Sequence, residues 1–224
     1  MAKSKFIKEL ANNTIDITTA LKRLKVLLID LDKAEINEWI DCELNGYKDT
    51  SKIPSYRKFV GQVKASFIIG RYNMMKYTDT PLPTCNIPDD IKEFIEEVVF
   101  SESISAIKLM EGERIGKIIP PEFYSYLTKG TNIDSITSAQ IEIPKTTPRE
   151  VISAVENRIL DILILLEKEF GNLDELDLDI TNKSPKELET ISNKITVIVY
   201  NDCSVNIGDN NKIKDSQICS KSNI

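Results

Sequence analysis

The sequence contains no histidine. Histidine is the usual general base and the usual partner of a nucleophilic serine or cysteine, so its absence excludes every catalytic pair of those kinds. The common zinc sites are excluded too, because the cysteines show no C-x-x-C spacing; they are Cys42, Cys85, Cys203 and Cys219. We therefore expect no cofactor, no metal site and no conventional catalytic residue. An enzyme on this chain would have to use carboxylates, lysine, tyrosine or an unpaired thiol.

Long apolar runs are missing as well. The most apolar stretch, ILDILILL, is short and is interrupted by Asp161, and the opening MAKSKFIKEL lacks the apolar core of a signal peptide, so we expect no membrane partner. The formal net charge of -6 argues against general nucleic-acid binding, because no excess of positive charge exists to release counterions. The chain has 224 residues, of which 41% are hydrophobic, and this composition predicts a globular, cytoplasmic protein.

Helical periodicity is clear in two early segments. In DITTALKRLKVLLIDL the leucines recur at steps of three and four residues, and Lys22, Arg23 and Lys25 lie off that apolar stripe. In DKAEINEWIDCELNGY the apolar residues again share one face, and the segment ends at Asn45-Gly46, where a helix end is favoured. These segments predict a pair of neighbouring helices.

The longest predicted helix is TTPREVISAVENRILDILILLEKEFG. Pro148 lies in its first turn and Gly171 follows its last turn, as expected for the two ends of a helix. Its apolar stripe is widened by Leu160, Ile164 and Leu165. We therefore expect a central helix, or one with partners on two sides.

Strand periodicity appears in KFVGQVKAS, and GRYN can turn the chain back toward MMKYT, so we expect a small hairpin near residues 57–78. After Gly171 an acidic connector covers 173–194, and the β-branched ITVIVY predicts a strand that opens a tail over 195–224. The predicted fold class is mainly α (α+β). A helical body with the hairpin over 1–172 is followed by the acidic linker and by a tail of short-strand or solenoid character.

The stretch WIDCELNGY places a carboxylate on the apolar side of a helix. Glu43 lies four residues after Trp39, and a buried carboxylate needs a partner. Arg57 and the hydroxyls of Tyr47 and Tyr56 are the nearest candidates in the sequence. Two interpretations are open: a binding or catalytic acid, or a structural ion pair that joins the helix end to the hairpin. The candidate site comprises Trp39, Glu43, Asn45, Gly46, Tyr47, Tyr56 and Arg57.

These features occur in a recognisable order: a leucine-rich helix, EWIDCELNGY, a proline loop, YRKFVGQV, a proline-started helix and REVISAVENRILDILILLEKE. Their order resembles the AbiTii domain of bacterial proteins over most of residues 3–170. The most specific part is W-I-x-x-E-L-N-G-Y with the following Y-R. The matching positions are Trp39, Ile40, Glu43, Leu44, Asn45, Gly46, Tyr47, Tyr56, Arg57 and Gly61. The resemblance implies a role in abortive infection, in which a bacterium limits phage spread by shutting itself down, and it implies no catalytic residues.

The chain ends with VNIGDNNKIKDSQICSKSNI, which is similar to segments that end many bacterial defence proteins. Its isoleucines recur at the spacing of short β-solenoid turns, and Gly208 with the adjacent 209–211 supplies residues that tolerate positive φ. One copy offers too little apolar area to offset its ordering entropy, so we expect homo-oligomerisation through stacked tails. A free terminus and a tail folded onto its own body are the alternatives. The residues assigned to self-association are Val205, Ile207, Gly208, Asn210, Ile213 and Ile218.

The sequence thus predicts an antiphage-defence protein that binds or senses a phage or host protein and self-assembles through its tail. The absence of a catalytic motif favours a binding module over an enzyme. One alternative is a histidine-free hydrolase or nuclease whose metal is held by carboxylates such as Glu43. A second is nucleic-acid binding through the basic helix face of Lys22, Arg23 and Lys25.

Overall fold

The computed structural model describes residues 3–31, 33–70, 75–110 and 115–200. The residues assigned to self-association lie outside the described residues; they are Val205, Ile207, Gly208, Asn210, Ile213 and Ile218. The described part of the chain is a mixed α+β protein, as predicted. Its helices are α1 (Lys5–Ala11), α2 (Ile17–Leu27), α3 (Ala34–Asn45), α4 (Asp89–Glu96), α5 (Ile104–Lys108), α6 (Tyr124–Thr128), α7 (Thr147–Phe170) and α8 (Pro185–Tyr200). Its strands are β1 (Lys58–Val60), β2 (Gln62–Ile69), β3 (Met75–Pro81), β4 (Glu97–Val99), β5 (Ile115–Ile118) and β6 (Ser135–Ile143).

Helix α7 is the centre of the helical part, as its two-sided apolar pattern predicts. Its 24 residues span about 36 Å at 1.5 Å per residue. It packs against α1, α2, α5 and α8, so it has neighbours along most of its length. Six of its apolar side chains are completely buried: Val151, Val155, Ile159, Ile162, Leu163 and Leu166.

The N-terminal segment of the described chain is attached to the end of α7. Glu167 accepts hydrogen bonds from the backbone N and the Oγ of Ser4, both at 2.6 Å, and pairs with Lys3 at 2.7 Å. Gly171 ends the helix with φ +90° and its backbone N donates to the carbonyl of Glu167 at 3.0 Å. After Gly171 the chain stays against the body, as the complete burial of Leu173 shows.

Helices α2 and α3 pack on each other and on the central helix or its neighbours. The Asp16 carboxylate caps α2 by accepting from the Thr18 backbone N at 3.0 Å. Helix α3 ends at Asn45, as predicted, and Gly46 follows with φ +91°. An added Cβ at Gly46 would lie 3.0 Å from the Ser101 carbonyl oxygen, so this position requires glycine both for its φ and for a close backbone approach.

The predicted hairpin is present, since β2 pairs antiparallel with β3. It belongs to a larger sheet of order β3-β2-β6-β5, and β1 and β4 form a separate two-stranded pair. Strand β6 pairs with β2 on one side and with β5 on the other. One face of the large sheet joins the core through Val63, Ala65, Ala139, Ile141 and Ile143. The sheet is therefore half-buried and antiparallel, with helices on its inner face.

The prediction of a strand over ITVIVY is wrong, because residues 195–200 form the last part of α8. Ile191, Ile195 and Val199 recur at four-residue steps and are buried, and α8 packs on α3 and α7. This tertiary burial overrides the β preference of the branched residues. The start of α8 is fixed by Ser184 and Glu187, whose side chains and backbone N groups exchange hydrogen bonds in a capping box.

Candidate functional site

The candidate residues of the WIDCELNGY stretch meet beside the core. Glu43 lies on the inner face of α3, one turn after Trp39, and both side chains are buried. Tyr47 follows the end of α3, and Tyr56 and Arg57 lie in a short 3-10 helix, Ser55–Arg57. We call Trp39, Glu43, Tyr47, Tyr56 and Arg57 the Glu43 cluster.

The carboxylate of Glu43 accepts hydrogen bonds from three side chains. Its Oε1 accepts from the hydroxyls of Tyr47 at 2.8 Å and Tyr56 at 2.6 Å and from Arg57 Nε at 3.1 Å. Its Oε2 accepts from Arg57 Nη2, which completes a two-pronged ion pair. Glu43 and Arg57 are both 0% exposed, so the pair is shielded from water.

The remaining donors of the cluster bind neighbouring segments. Arg57 Nη1 donates to the carbonyls of Phe100 at 3.0 Å and Glu102 at 2.8 Å. Trp39 Nε1 donates to the Tyr56 hydroxyl at 2.8 Å. The guanidinium of Arg158 on α7 lies 4.0 Å from the centre of the Tyr56 ring and donates to the Val199 carbonyl of α8 at 3.0 Å. The cluster therefore joins α3, the 3-10 helix, the 100–102 segment and, through Arg158, both long helices.

Burial and charge fix the protonation states in the cluster. Burial, followed by the negative charge of Glu43, raises the pKa of Tyr47 and of Tyr56. Burial lowers the pKa of Arg57, but the hydrogen bonds and charge of Glu43 outweigh it and raise that pKa. Both tyrosines are therefore neutral donors, and Arg57 stays charged.

The pairing of Glu43 with Arg57 and with both tyrosines is the one that its position on the helix predicts. The other two candidates lie outside the cluster. Asn45 is exposed, and its Nδ2 donates to the Asp41 carbonyl at 2.9 Å. Gly46 contacts the backbone of 101–103. The arrangement has the chemistry of a structural ion pair, because Glu43 is 0% exposed and both of its oxygens already accept hydrogen bonds.

The basic face of α2 is engaged by acids of the same chain. Arg23 pairs with Glu9 at 2.6 Å and lies over the Phe6 ring, and Lys25 pairs with Asp41. Of the three cations, only Lys22 has no such partner among the described residues. This face therefore presents less free positive charge than its sequence indicates.

Two further properties of the described residues concern metal binding and membrane spans. In the described ranges, histidine, cysteine, aspartate and glutamate side chains nowhere gather in threes as they would to hold a metal ion. Within the same ranges, none of the helices combines the length and the apolar character needed to span a membrane.

A groove that the sequence did not reveal lies on the other side of α7. It has a volume of about 600 Å³ and is lined by the α1–α2 loop with the start of α2, by the end of α5, and by Lys145 with the first turns of α7. We call it the α5–α7 groove. The sequence signal on α7 is the spacing of Arg149, Ile152 and Glu156, which share one helix face. The facing residues come from distant segments, so sequence spacing alone gives no groove.

The fold and the cluster together define a class of protein: a mixed α+β body whose most distinctive sequence motif builds a closed, ion-paired scaffold. The AbiTii family model matches residues 4–193, and the chain belongs to the AbiTii family. This membership indicates a role in abortive infection and phage defence. No curated protein and no solved structure matches the chain.

Proposed function

We propose that this protein acts in phage defence as a binding module: its body binds or senses a phage or host protein, and its C-terminal tail assembles copies of the chain. The observation that carries the binding role is the state of Glu43. This carboxylate is fully buried and accepts from three side chains. A catalytic base must reach its substrate, and a metal ligand must have a lone pair for the ion, so the Glu43 environment favours a structural role.

Assembly through the tail would strengthen the binding of the body to its partner. Linked copies present several bodies at once, so a weak contact with a partner is strengthened by the high effective concentration. The isoleucine spacing of the tail and its glycine and asparagine residues favour short turns that stack between copies. The net charge of -6 opposes non-specific aggregation of the bodies, which leaves the tail as the contact that brings them together.

The first test of assembly is the mass in solution of the full chain and of residues 1–200, measured side by side by light scattering. We expect an oligomer that becomes a monomer on truncation, with unchanged helical circular dichroism because α8 ends at Tyr200. Equal masses would contradict assembly through the tail.

A second test keeps the chain length constant. The triple variant Ile207→Asn, Ile213→Asn and Ile218→Asn removes apolar area from the tail, and Ser204→Ala, Ser216→Ala and Ser220→Ala is the matched control in the same segment. We expect only the isoleucine variant to lose both oligomer mass and protection of bacteria against phage in a plaque assay. Protection that persists without assembly would separate the defence role from the tail.

A further inference from the structure

The α5–α7 groove has an apolar floor between charged ends. Ile17, Ile107 and Ile152 form the floor, one from each of the elements that meet there. The volume of about 600 Å³ is within the range of ligand sites, which combine apolar walls with a few polar groups.

The positive end of the groove is formed by Lys145 and Arg149. Both side chains are exposed, and neither forms an ion pair with an acid in the part of the chain that the structure describes. In a protein with a net charge of -6, two such cations at one end of a groove make a local site for a carboxylate.

The negative end of the groove is formed by Asp16, Lys108 and Glu156. Lys108 pairs with Asp16. Glu156 is half-buried, and burial raises its pKa against the opposing charge of Lys108. A second cation at this end would stabilise the charged form of Glu156.

The distance between the two ends matches a short piece of extended chain. Arg149 and Glu156 are seven residues apart on α7, or about 10 Å along the helix axis at 1.5 Å per residue. An extended peptide in the polyproline II conformation advances about 3.1 Å per residue with three residues per turn. An acidic and a basic side chain three positions apart then point the same way and lie about 9 Å apart. A polyanion such as nucleic acid would fit poorly, because Glu156, which forms no ion pair among the described residues, would repel it.

We propose that the α5–α7 groove binds an extended segment of a partner protein, with an acidic residue at Lys145 and Arg149, a basic residue three positions away at Glu156, and apolar residues between them on the isoleucine floor. The proposal rests on the binding role proposed above for the body and gives that role a place and a ligand chemistry. It does not depend on assembly through the tail.

The test uses the full chain and four fluorescent, end-blocked tetrapeptides measured by anisotropy. Two carry mixed charges, Asp-Leu-Leu-Lys and Lys-Leu-Leu-Asp, and two carry like charges, Asp-Leu-Leu-Asp and Lys-Leu-Leu-Lys. We expect one mixed peptide to bind about tenfold more tightly than either like-charged peptide, because each like-charged peptide replaces one attraction with a repulsion. The order of the preferred mixed peptide gives the direction of the bound chain.

A charge reversal locates the binding. Arg149→Glu leaves Lys145 beside a carboxylate and so removes the net positive charge of that end. The preference for the mixed peptide over Lys-Leu-Leu-Lys should therefore be lost. Lys186→Glu is the matched control, because Lys186 is exposed in the first turn of α8 and makes the same change of charge away from the groove. We expect the control to keep the preference of the unaltered chain.

Three results would overturn the proposal. The first is no binding of any tetrapeptide at millimolar concentration, and the second is an unchanged peptide preference in Arg149→Glu. The third is that a synthetic 201–224 peptide binds the chain more tightly than every tetrapeptide and that Arg149→Glu abolishes this binding. The last result would assign the groove to the tail of this chain. The mass measurement on the unaltered protein is independent of all three, so failure of the groove and failure of tail assembly are distinguishable.

Discussion

The Glu43 cluster and the α5–α7 groove lie beside the same central helix and use opposite charges in different ways. In the cluster, Glu43 and Arg57 bind each other in full burial, and tyrosine hydroxyls and backbone carbonyls occupy the remaining positions. In the groove, Arg149 and Glu156 are held two helix turns apart and face open space. The family motif therefore holds the body together, whereas the groove leaves charges such as Arg149 without a close partner of opposite sign among the described residues.

The largest expected effect on stability comes from breaking the ion pair of the Glu43 cluster. Arg57→Met leaves Glu43 buried without its cation and should lower the free energy of unfolding by about 3–5 kcal/mol. Adding Glu43→Gln should recover part of this loss, because the uncompensated charge is then removed. Urea unfolding of the two variants and the unaltered chain measures both effects.

The matched control for this change is the exposed pair of Lys25 with Asp41. Lys25→Met should cost less than about 1 kcal/mol, as exposed ion pairs usually do. A loss for Arg57→Met as small as that of Lys25→Met would contradict the structural role of the cluster. A Glu43→Gln variant that keeps its melting temperature yet loses phage protection would instead indicate a chemical role for Glu43.

The next largest effect on stability is expected at two glycines that have similar φ angles. Gly46 and Gly171 have φ of +91° and +90°, but a Cβ would meet the Ser101 carbonyl only at Gly46. Gly171→Ala should therefore cost about 1–3 kcal/mol for its backbone conformation alone, and Gly46→Ala should cost more. Equal losses in thermal or urea unfolding would show that the close approach at Gly46 relaxes without cost.

A carboxylate at the edge of the body gives a pH-dependent effect. Burial alone would raise the pKa of Glu167, but hydrogen bonds from Lys3 and Ser4 outweigh it and lower that pKa to about 2. A lowered pKa means that this stabilisation is complete above about pH 4.5, the ordinary value, and is lost as the pH falls toward 2. We expect a loss on the order of 2 kcal/mol over that interval.

Urea unfolding between pH 7 and pH 2 measures this loss, and Glu167→Gln is the reference. The variant should be less stable at pH 7, and its stability should change less over the acidic interval. If both proteins have the same pH profile, Glu167 does not hold the N-terminal segment in solution.

The smallest expected effect on stability belongs to the groove. Arg149→Glu changes an exposed side chain that has no acid partner among the described residues, so the free energy of unfolding should change by less than about 0.5 kcal/mol. The same variant is expected to change peptide preference strongly. A large loss of stability would show that Arg149 has a structural role and would remove the contrast with the cluster.

Local patterns predicted the parts of the fold that depend on neighbouring residues. The ends of α7 followed from Pro148 and Gly171, and the burial of Glu43 followed from its position four residues after Trp39. Each of these signals lies within one helix or one turn. The partners of Glu43 were also close in sequence, which allowed the cluster to be anticipated.

Long-range pairings were not predictable in this way. Strand β6 pairs with β2 and β5, which lie far from it in the chain, and its own sequence gave no decisive signal. The segment ITVIVY taken alone favours a strand, because its helical four-residue spacing begins upstream of it, at Ile191. The α5–α7 groove combines three separated segments, so only the folded chain brings its charges together.

The position of Arg158 has a mechanical consequence. Its guanidinium lies against the Tyr56 ring of the cluster and is hydrogen-bonded to the Val199 carbonyl in the last turn of α8. A force that pulls on the chain beyond Tyr200 therefore acts first on the last turn of α8, which Arg158 joins to the Tyr56 ring and which Val199 buries against the body. The Glu43 cluster is thus connected to the point where tension on the chain beyond Tyr200 enters the body.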